Sequence, residues 1–400
     1  MMKEVELGNV CHFENGDRGK NYPSQSAFVE IGIPFISAKD LKNNLIKHDN
    51  LNYISEETYN KLGSGKLQPN DILFCLRGSL GKFAINKDCL KGGIASSLVL
   101  LRAKEDLQIN YLKHYLNSPR MKRLITKSDN GSSQPNLSGA NVKKFPIPLP
   151  PIDQQKKIAA ILDAADAFRQ KTRALIEKYD ELTQSLFLDM FGDPVTNPKG
   201  WEVNFLKQIT TKIGSGATPR GGKQAYKKEG ISLIRSMNVY DNRFKYKNLA
   251  FIDEDQAAKL KNVIVEKGDV LFNITGASIC RSSVVPDDVL PARVNQHVSI
   301  LRPIKSIITS KFLSRFLISE NVKTKLLGVG SGGGAVMEAI TKEQLQSIKV
   351  IIPPLELQNE FSKRVQAIEA QKAQTQAILA GAEDLFNSLL QRAFKGELTD

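Results

Sequence analysis

Residues 146–155 read PIPLPPIDQQ, and residues 349–358 read KVIIPPLELQ. Each stretch carries Pro-Pro, then Ile or Leu, then Asp or Glu, then any residue, then Gln. Setting Pro150-Pro151 on Pro353-Pro354 gives an offset of 203, which runs without a gap from Gly131 to Phe191. Leu137 falls on Ile340, Ser138 on Thr341, Phe145 on Ile348, Leu182 on Leu385, Ser185 on Ser388 and Phe191 on Phe394.

The repeat continues upstream with small shifts. IPFISAKDL at 33–41 matches ISLIRSMNV at 231–239, and NDILFCLRGS at 70–79 matches GDVLFNITGA at 268–277, both at an offset of 198. LVLLRA at 98–103 pairs with VSILRP at 298–303, and Leu7 and Val10 pair with Leu206 and Ile209. Short indels of this kind belong in surface loops. Two copies are too few for a solenoid. The reading is a pseudo-dimer: two similar heads in one chain, related by an approximate two-fold internal repeat.

Within each head the pattern predicts α+β structure. Residues 71–74 and 269–272 read as short strands entered from a polar turn, and 98–101 and 298–301 as strands. INYLKHYLNS at 109–118 and TSKFLSRFLIS at 309–319 carry helical apolar spacing. Thr341 and Gln344 fit a capping box.

A long helix follows each head. In the first, Ile158, Ile161, Ala165, Phe168, Thr172, Leu175, Tyr179, Leu182 and Leu186 alternate steps of three and four, a coiled-coil period of 3.5. Phe361, Val365, Ile368, Thr375, Ile378, Ala382, Leu385 and Leu389 keep that rhythm in the second, with a polar break at Gln371-Lys372. Pro151 and Pro354 stand just before these helices, where a missing N–H costs nothing. Each should run roughly 35 residues, about 50 Å. The second helix must return, which predicts an antiparallel pair. The alternative is two separate core helices, and the persistence of the period argues against it.

Composition bounds the function. The chain has 400 residues, a soft prior for two or three domains. Lys+Arg number 56 against 42 Asp+Glu, a net charge of +14. That balance points to a polyanion, nucleic acid or an anionic membrane surface. The bland alternative is a basic protein without such a partner. No apolar run approaches the ~18 residues of a membrane span, which favours nucleic acid. Cys11, Cys75, Cys89 and Cys280 show neither C-x-x-C nor metal spacing with His, so they read as buried, reduced thiols of a cytoplasmic protein. The N-terminal MMKEVELGNV lacks an apolar signal-peptide region.

The layout resembles the specificity subunits of type I restriction-modification systems. The features that carry the resemblance are Gly200-Trp201-Glu202-Val203 at the start of a head, GDVLFNITGAS at 268–278, and the Pro-Pro-(Ile/Leu)-(Asp/Glu)-x-Gln start of each long helix. It covers nearly the whole chain. Head one departs from it, with Lys-Glu-Val-Glu at 3–6 lacking Trp and LFCLRGS standing for LFNITGA, which suggests that the heads read different DNA sequences.

The resemblance implies target-recognition domains at 1–150 and 196–353, a central coiled-coil helix at 151–195 and a C-terminal one at 354–400. It implies that each head reads half of a split, asymmetric site on double-stranded DNA. The helices would hold the heads apart and dock two modification (methyltransferase) subunits, and two restriction subunits would join. S-adenosylmethionine, ATP and Mg would belong to those partners; for this chain the expectation is no cofactor, no metal and no catalysis.

The motifs agree. Gly63-Ser64-Gly65-Lys66 lacks the upstream Gly and following Ser/Thr of a phosphate-binding loop. No Asn/Asp-Pro-Pro-aromatic methylase motif occurs, and Pro286-Asp287 has no acidic-x-Lys within the next thirty residues. His12, His48, His114 and His297 are scattered. The Gly-rich runs Gly214–Gly216 and Gly330–Gly334 read either as phosphate cradles or as plain loops. A fused restriction-methylase fragment and a coiled-coil adaptor without DNA binding are the rival readings; missing motifs oppose the first, charge and duplicated heads the second.

Candidate DNA contacts are polar residues where the copies diverge. Ser37 and Lys39 match Arg235 and Met237 in position. Arg77, Ser79 and Lys82 follow the first shared strand, and Asn273, Thr275 and Arg281 its second copy. Asn295, Gln296 and His297 precede a strand of head two. Arg and Lys suit guanine edges, Asn and Gln adenine. Arg18, Lys20, Arg220 and Lys223, in early Gly-bearing loops, suit phosphates.

Overall fold

In the first copy, the apolar run Leu98–Ala103 is the hub of a four-stranded antiparallel sheet ordered Cys11–Asn15, Leu98–Ala103, Ile72–Cys75, Phe83–Ile85. The second copy repeats it with Thr210–Ser215, Val298–Pro303, Val270–Asn273 and Ser282–Val284. Register repeats as well: Leu73 faces Leu100, and Leu271 faces Ile300. The structure is a computed structural model, and it describes residues 3–88, 90–129, 135–219, 221–329 and 339–398, without the side chains of Lys223 and Val329.

Both faces of each sheet are covered, which explains strands that read as continuous apolar runs. With a side-chain period of two, alternate residues join different cores. Ile72, Phe74, Val99 and Leu101 pack with Tyr111, Tyr115, Ile158, Leu162, Phe386 and Phe394. Leu73, Leu98 and Leu100 pack with Ile36, Leu41 and Ile46. Head two divides the same way. Val270, Phe272 and Leu301 meet Phe187, Phe191, Phe312 and Phe361, while Leu271, Val298 and Ile300 meet Leu233, Val239 and Phe244.

A second four-stranded sheet, of shorter strands, covers the second face. Ile33–Ile36 pairs antiparallel with Asn52–Ile54 and parallel with Gly93–Ile94. Ile231–Ile234 does the same with Ala250–Ile252 and Ala292–Val294. After each of these central strands comes a short hairpin, Leu41–Lys42 with Leu45–Ile46 and Val239–Tyr240 with Arg243–Phe244. Each head closes on itself where its first strand meets the strand before the Pro-Pro joint: Glu4–Glu6 on Pro146–Pro148, and Glu202–Phe205 on Lys349–Ile352. Helices Ile109–Asn117 and Ser310–Ile318 stand at the expected places, and Thr341 and Gln344 form their capping box.

A buried ion pair is duplicated too. Arg102 donates Nε and Nη2 to the two oxygens of Asp71 at 2.8 Å each, and Arg302 does so to Asp269 at 2.8 and 2.9 Å. Each carboxylate also accepts a backbone N–H, from Gln68 and Glu266 respectively. Such fork-on-fork pairing offsets part of the cost of burying a carboxylate.

The long helices are Ile152–Phe191 and Leu355–Lys395, of 40 and 41 residues, longer than the expected 35. The chain groups into two compact units, residues 1–173 with 377–400, and residues 174–376, so each unit holds one head and half of each long helix. In the first unit Arg173 pairs with Glu383 and Arg169 stacks 4.1 Å over Phe386, an antiparallel pairing. In the second, Lys372 reaches both oxygens of Asp180 at 2.5 and 2.6 Å, and the Phe187 and Phe361 rings lie 5.7 Å apart, again antiparallel.

The period of 3.5 holds, but six of the seventeen expected seam positions are displaced by one residue. Ile161, Phe168, Leu175 and Leu182 are 41–53% exposed, and Ile378 and Leu385 are 51% and 55% exposed. The covered positions are Ile158, Leu162, Ala165, Arg169, Thr172, Ile176, Tyr179, Thr183 and Leu186, and then Phe361, Val365, Ile368, Lys372, Thr375, Leu379, Ala382, Phe386 and Leu389. The seam threonines are satisfied locally: Thr172, Thr183 and Thr375 donate to the carbonyls of Phe168, Tyr179 and Gln371 at 2.8–2.9 Å.

Candidate nucleic-acid interface

Two polar clusters occur in each head, at matched backbone positions with different side chains. The first surrounds the turn after the second sheet strand. Its backbone is the same in both copies: Leu76 N–H donates to Ser97 O at 2.8 Å, and Ile274 N–H to His297 O at 3.0 Å. Gly16 and Gly216 allow the neighbouring strand end to come close, for a Cβ there would lie 2.5 Å from Ala95 O and 1.8 Å from Val294 O.

In head one this cluster holds exposed Arg77 and Ser79 beside Arg18, which donates to Ser96 O at 3.1 Å. In head two it holds Thr275, whose hydroxyl lies 2.6 Å from His297 Nδ1, and Gln296, whose amide lies 3.1 Å from His297 Nε2. Thr218 donates to the Gln296 carbonyl. Thr275, Gln296 and His297 are thus brought together as one exposed or half-exposed network.

The second cluster sits on the hairpin. Arg281, Arg243 and Lys245 lie 4.5, 5.2 and 5.1 Å from the Tyr240 ring centroid. Lys245 donates to the Tyr240 hydroxyl at 3.3 Å and, with Arg281 nearby, holds its pKa below the usual tyrosine value. Among the described residues none of these three cations is paired with a carboxylate. Tyr240, Arg243 and Arg281 border a cleft of ≈ 920 Å³. In head one the matched positions are Lys42, Leu45, Lys47 and Lys82, and Lys82 donates to Ala38 O at 2.8 Å.

Other expected contacts take other roles. Asn273 is fully buried, donating to Ser236 O at 2.9 Å, Ser278 Oγ at 3.2 Å and Val239 O at 3.4 Å; it ties the hairpin to the sheet and is not a surface contact. Asn295 is buried as well, accepting the His297 N–H at 3.1 Å. Both are polar groups at strand ends, where the backbone takes up the side chain. Ser37 caps a short turn through Asp40 at 2.8 Å. Arg235 stacks 5.1 Å from Tyr226 and donates to Asn248 O. Lys20 and Lys39 are exposed. Arg220, the Lys223 side chain, Cys89 and Gly330–Gly334 lie outside the described residues.

The phosphate-cradle reading of Gly214–Gly216 is corrected: Gly214 lies in a strand opposite Ile300, and Gly216 N–H is taken by Asn295 O at 3.1 Å. Tyr240, Arg243 and Lys245 went unmarked in the sequence. The signal was present, because the offset of 198 continues ungapped past Leu41 and sets Tyr240 on Lys42 and Arg243 on Leu45. Cys11, Cys75 and Cys280 are buried and free, and burial pushes the Cys11 thiol up to about 12. Among the described residues no group of His, Cys, Asp or Glu could hold a metal ion, and no helix is long and apolar enough to cross a membrane.

A scaffold built twice, with unlike polar clusters at matched surface positions, defines a class: two heads of one fold with different surface chemistry. The chain belongs to the type I restriction modification DNA specificity domain family, whose sequence model matches residues 1–178 and 198–383. It is similar to the putative type I restriction enzyme MjaX specificity subunit of Methanocaldococcus jannaschii, at 26% identity over 90% of this chain and 87% of that protein. It is likewise similar to the EcoBI specificity subunit of Escherichia coli, at 24% identity over 99% and 86%. Its fold matches a chain solved in work on assembly and conformational transition of the type I R-M system, with TM-score 0.64 and 20% identity over 99% and 98% of the two chains. It also matches the crystal structure of the type I S subunit from M. genitalium, with TM-score 0.57 and 14% identity over 98% and 96%.

Proposed function

We propose that this chain is the DNA-specificity subunit of a type I restriction-modification complex. The carrying observation is the pair of heads with one backbone and two sets of surface side chains. Residues 1–150 and 196–353 are the target-recognition domains, and 151–195 and 354–400 the helical segments. Each head reads one half of an asymmetric, bipartite site. The chain docks methyltransferase and restriction subunits, two of each, and leaves catalysis to them in the cytoplasm.

The net charge of +14 supplies the electrostatic part of binding. Cations that neutralise phosphates release counterions, so log K should fall with log salt at a slope of about −0.9 per contact. The test is the chain reconstituted with its modification subunit. Binding should be salt-sensitive, and methylation mapping should show a split motif with unlike halves. A flat affinity between low and moderate salt, or a symmetric motif, would overturn the reading.

A further inference from the structure

The two hairpins share two backbone attachments and differ at the tip. Lys47 N–H donates to Asp40 O and Lys245 N–H to Asn238 O, both at 2.7 Å. Cys75 N–H donates to Lys82 O at 2.8 Å, and Asn273 N–H to Arg281 O at 2.9 Å. The tips are anchored through opposite groups: Asn44 O accepts from Ile85 N–H at 3.1 Å, whereas Asn242 N–H donates to Ser282 O at 2.8 Å. The inward residues are apolar and buried in both copies: Leu41 and Ile46, Val239 and Phe244. With period-two alternation, the outward cross-strand pairs are Lys42 with Leu45, and Tyr240 with Arg243.

Comparison of the copies sorts the outward positions. Two keep a cation in both heads, Lys47 with Lys245 and Lys82 with Arg281. Two change chemistry completely, Lys42 to Tyr240 and Leu45 to Arg243. Phosphates are common to every DNA sequence, whereas base edges are not. Positions that hold constant charge therefore suit the backbone, and positions that change suit the bases.

We propose that these hairpins are the base-reading elements of the heads, with Tyr240 and Arg243 discriminating bases in one half-site and Lys42 and Leu45 in the other. Lys47, Lys82, Lys245 and Arg281 hold the flanking phosphates. The proposal rests on the DNA-specificity function above. A two-stranded ribbon fits the major groove. The Arg243 guanidinium lies 5.2 Å from the Tyr240 centroid, which restricts its side chain before binding and leaves its donors for the guanine O6/N7 edge. Leu45, 54% exposed at a hairpin tip, offers the apolar contact that suits a thymine methyl.

The experiment uses the full chain in complex with its modification subunit, and a panel of duplexes substituted at each base pair of the methylated motif. Arg243→Leu, which installs the residue of head one, should erase about 5- to 150-fold discrimination at a base pair of one half-site. The other half-site and the salt slope should stay as they were. Leu45→Ala should change preference in the opposite half-site only. Lys245→Ala and Arg281→Ala should weaken all sequences alike and each reduce the salt slope by about one. Arg243→Leu that weakens every duplex equally would make Arg243 a phosphate contact and overturn the proposal. So would Arg243→Leu and Tyr240→Lys that leave every preference unchanged. An unmodified complex without sequence preference would instead remove the function proposed above.

Discussion

Gln155 and Gln358 show why each long helix begins on a Pro-Pro-x-x-x-Gln sequence. Gln358 is fully buried; its Oε1 accepts the Thr309 N–H at 2.8 Å, and its Nε2 donates to Ile307 O and Pro353 O at 3.1 and 2.8 Å. Gln155 repeats this with Gln108, Asp106 and Pro150. One amide thus satisfies three backbone groups where helix, joint and head meet. Gln358→Leu should leave those groups unmet at ~1–3 kcal/mol for each, and calorimetry should find the unfolding midpoint lowered by at least about 4 °C. An unchanged midpoint would mean that the backbone finds other partners. His114 makes a second prediction. It is 1% exposed, its Nε2 lies 2.8 Å from Asp163 Oδ1, and its Nδ1 has no partner among the described residues. A second proton would be buried without an acceptor, so burial, with Lys113 adding to it, pushes the imidazole from 6.5 down to about 4 against the pull of Asp163 and Asp166. The unfolded chain then binds more protons between those values, and stability should rise from pH 4 to 6.5 by at most about 1.4 kcal/mol per pH unit. Urea unfolding of His114→Gln should show a flatter rise over that window; equal slopes would refute the assignment. At this scale the sequence is only partly legible. Arg77, Thr275, Gln296 and His297 are exposed or half-exposed. Asn273 is not, because a polar residue at a strand end looks the same whether it faces solvent or the backbone of a hairpin folded over it.

The helices show what periodicity does and does not specify. The 3.5 repeat predicted two long helices, and their starts at Ile152 and Leu355 follow directly from the prolines. The covered face was harder to read, because two stripes with a heptad repeat lie side by side. Ile161, Phe168, Leu175 and Leu182 are more apolar than the covered Arg169, Thr172 and Thr183, so apolarity alone selects the wrong neighbour. Tertiary contacts decide it: Leu162 belongs to the core of its unit, Arg169 covers Phe386, and Thr183 returns its hydroxyl to its own helix. The consequence is measurable. Leu162 is fully buried and Ile161 is 41% exposed. Leu162→Ala should destabilise its unit by about 2–5 kcal/mol, while Ile161→Ala should stay within about 1 kcal/mol. Chemical denaturation of both variants checks this, and comparable losses would restore the stripe that apolarity favours.

For the whole molecule, the offset of 203 is the most legible feature, and it sets Phe191 on Phe394. In the first unit Phe394 lies 5.2 Å from both Tyr111 and Tyr115. In the second, Phe191 lies 4.7 Å from Phe312, the counterpart of Tyr111. Each head therefore receives the end of a long helix: the first takes the end of the second helix, and the second takes the end of the first. A fragment of residues 1–195 would keep the first head with its receiving site empty, and would carry Phe187–Phe191 with nowhere to bury it. Two fragments can satisfy each other, with Phe191 of one copy taking the place of Phe394 in the other. The fragment should be a dimer by sedimentation equilibrium, and Phe191→Ala should make it a monomer. The match is imperfect at one point. Phe386, which stacks 4.1 Å under Arg169, is replaced at the same offset by Thr183. The dimer should therefore gain affinity from Thr183→Phe, which restores an aromatic face beneath the guanidinium at two symmetric places, each contributing ~0.5–2 kcal/mol beyond the added apolar area. Complexed with the modification subunit, the dimer should direct methylation to an inverted repeat of the first half-site. A fragment that stays monomeric, or one that Thr183→Phe loosens, would show that the two helix ends are not interchangeable and that the duplication in sequence has diverged too far to act as one.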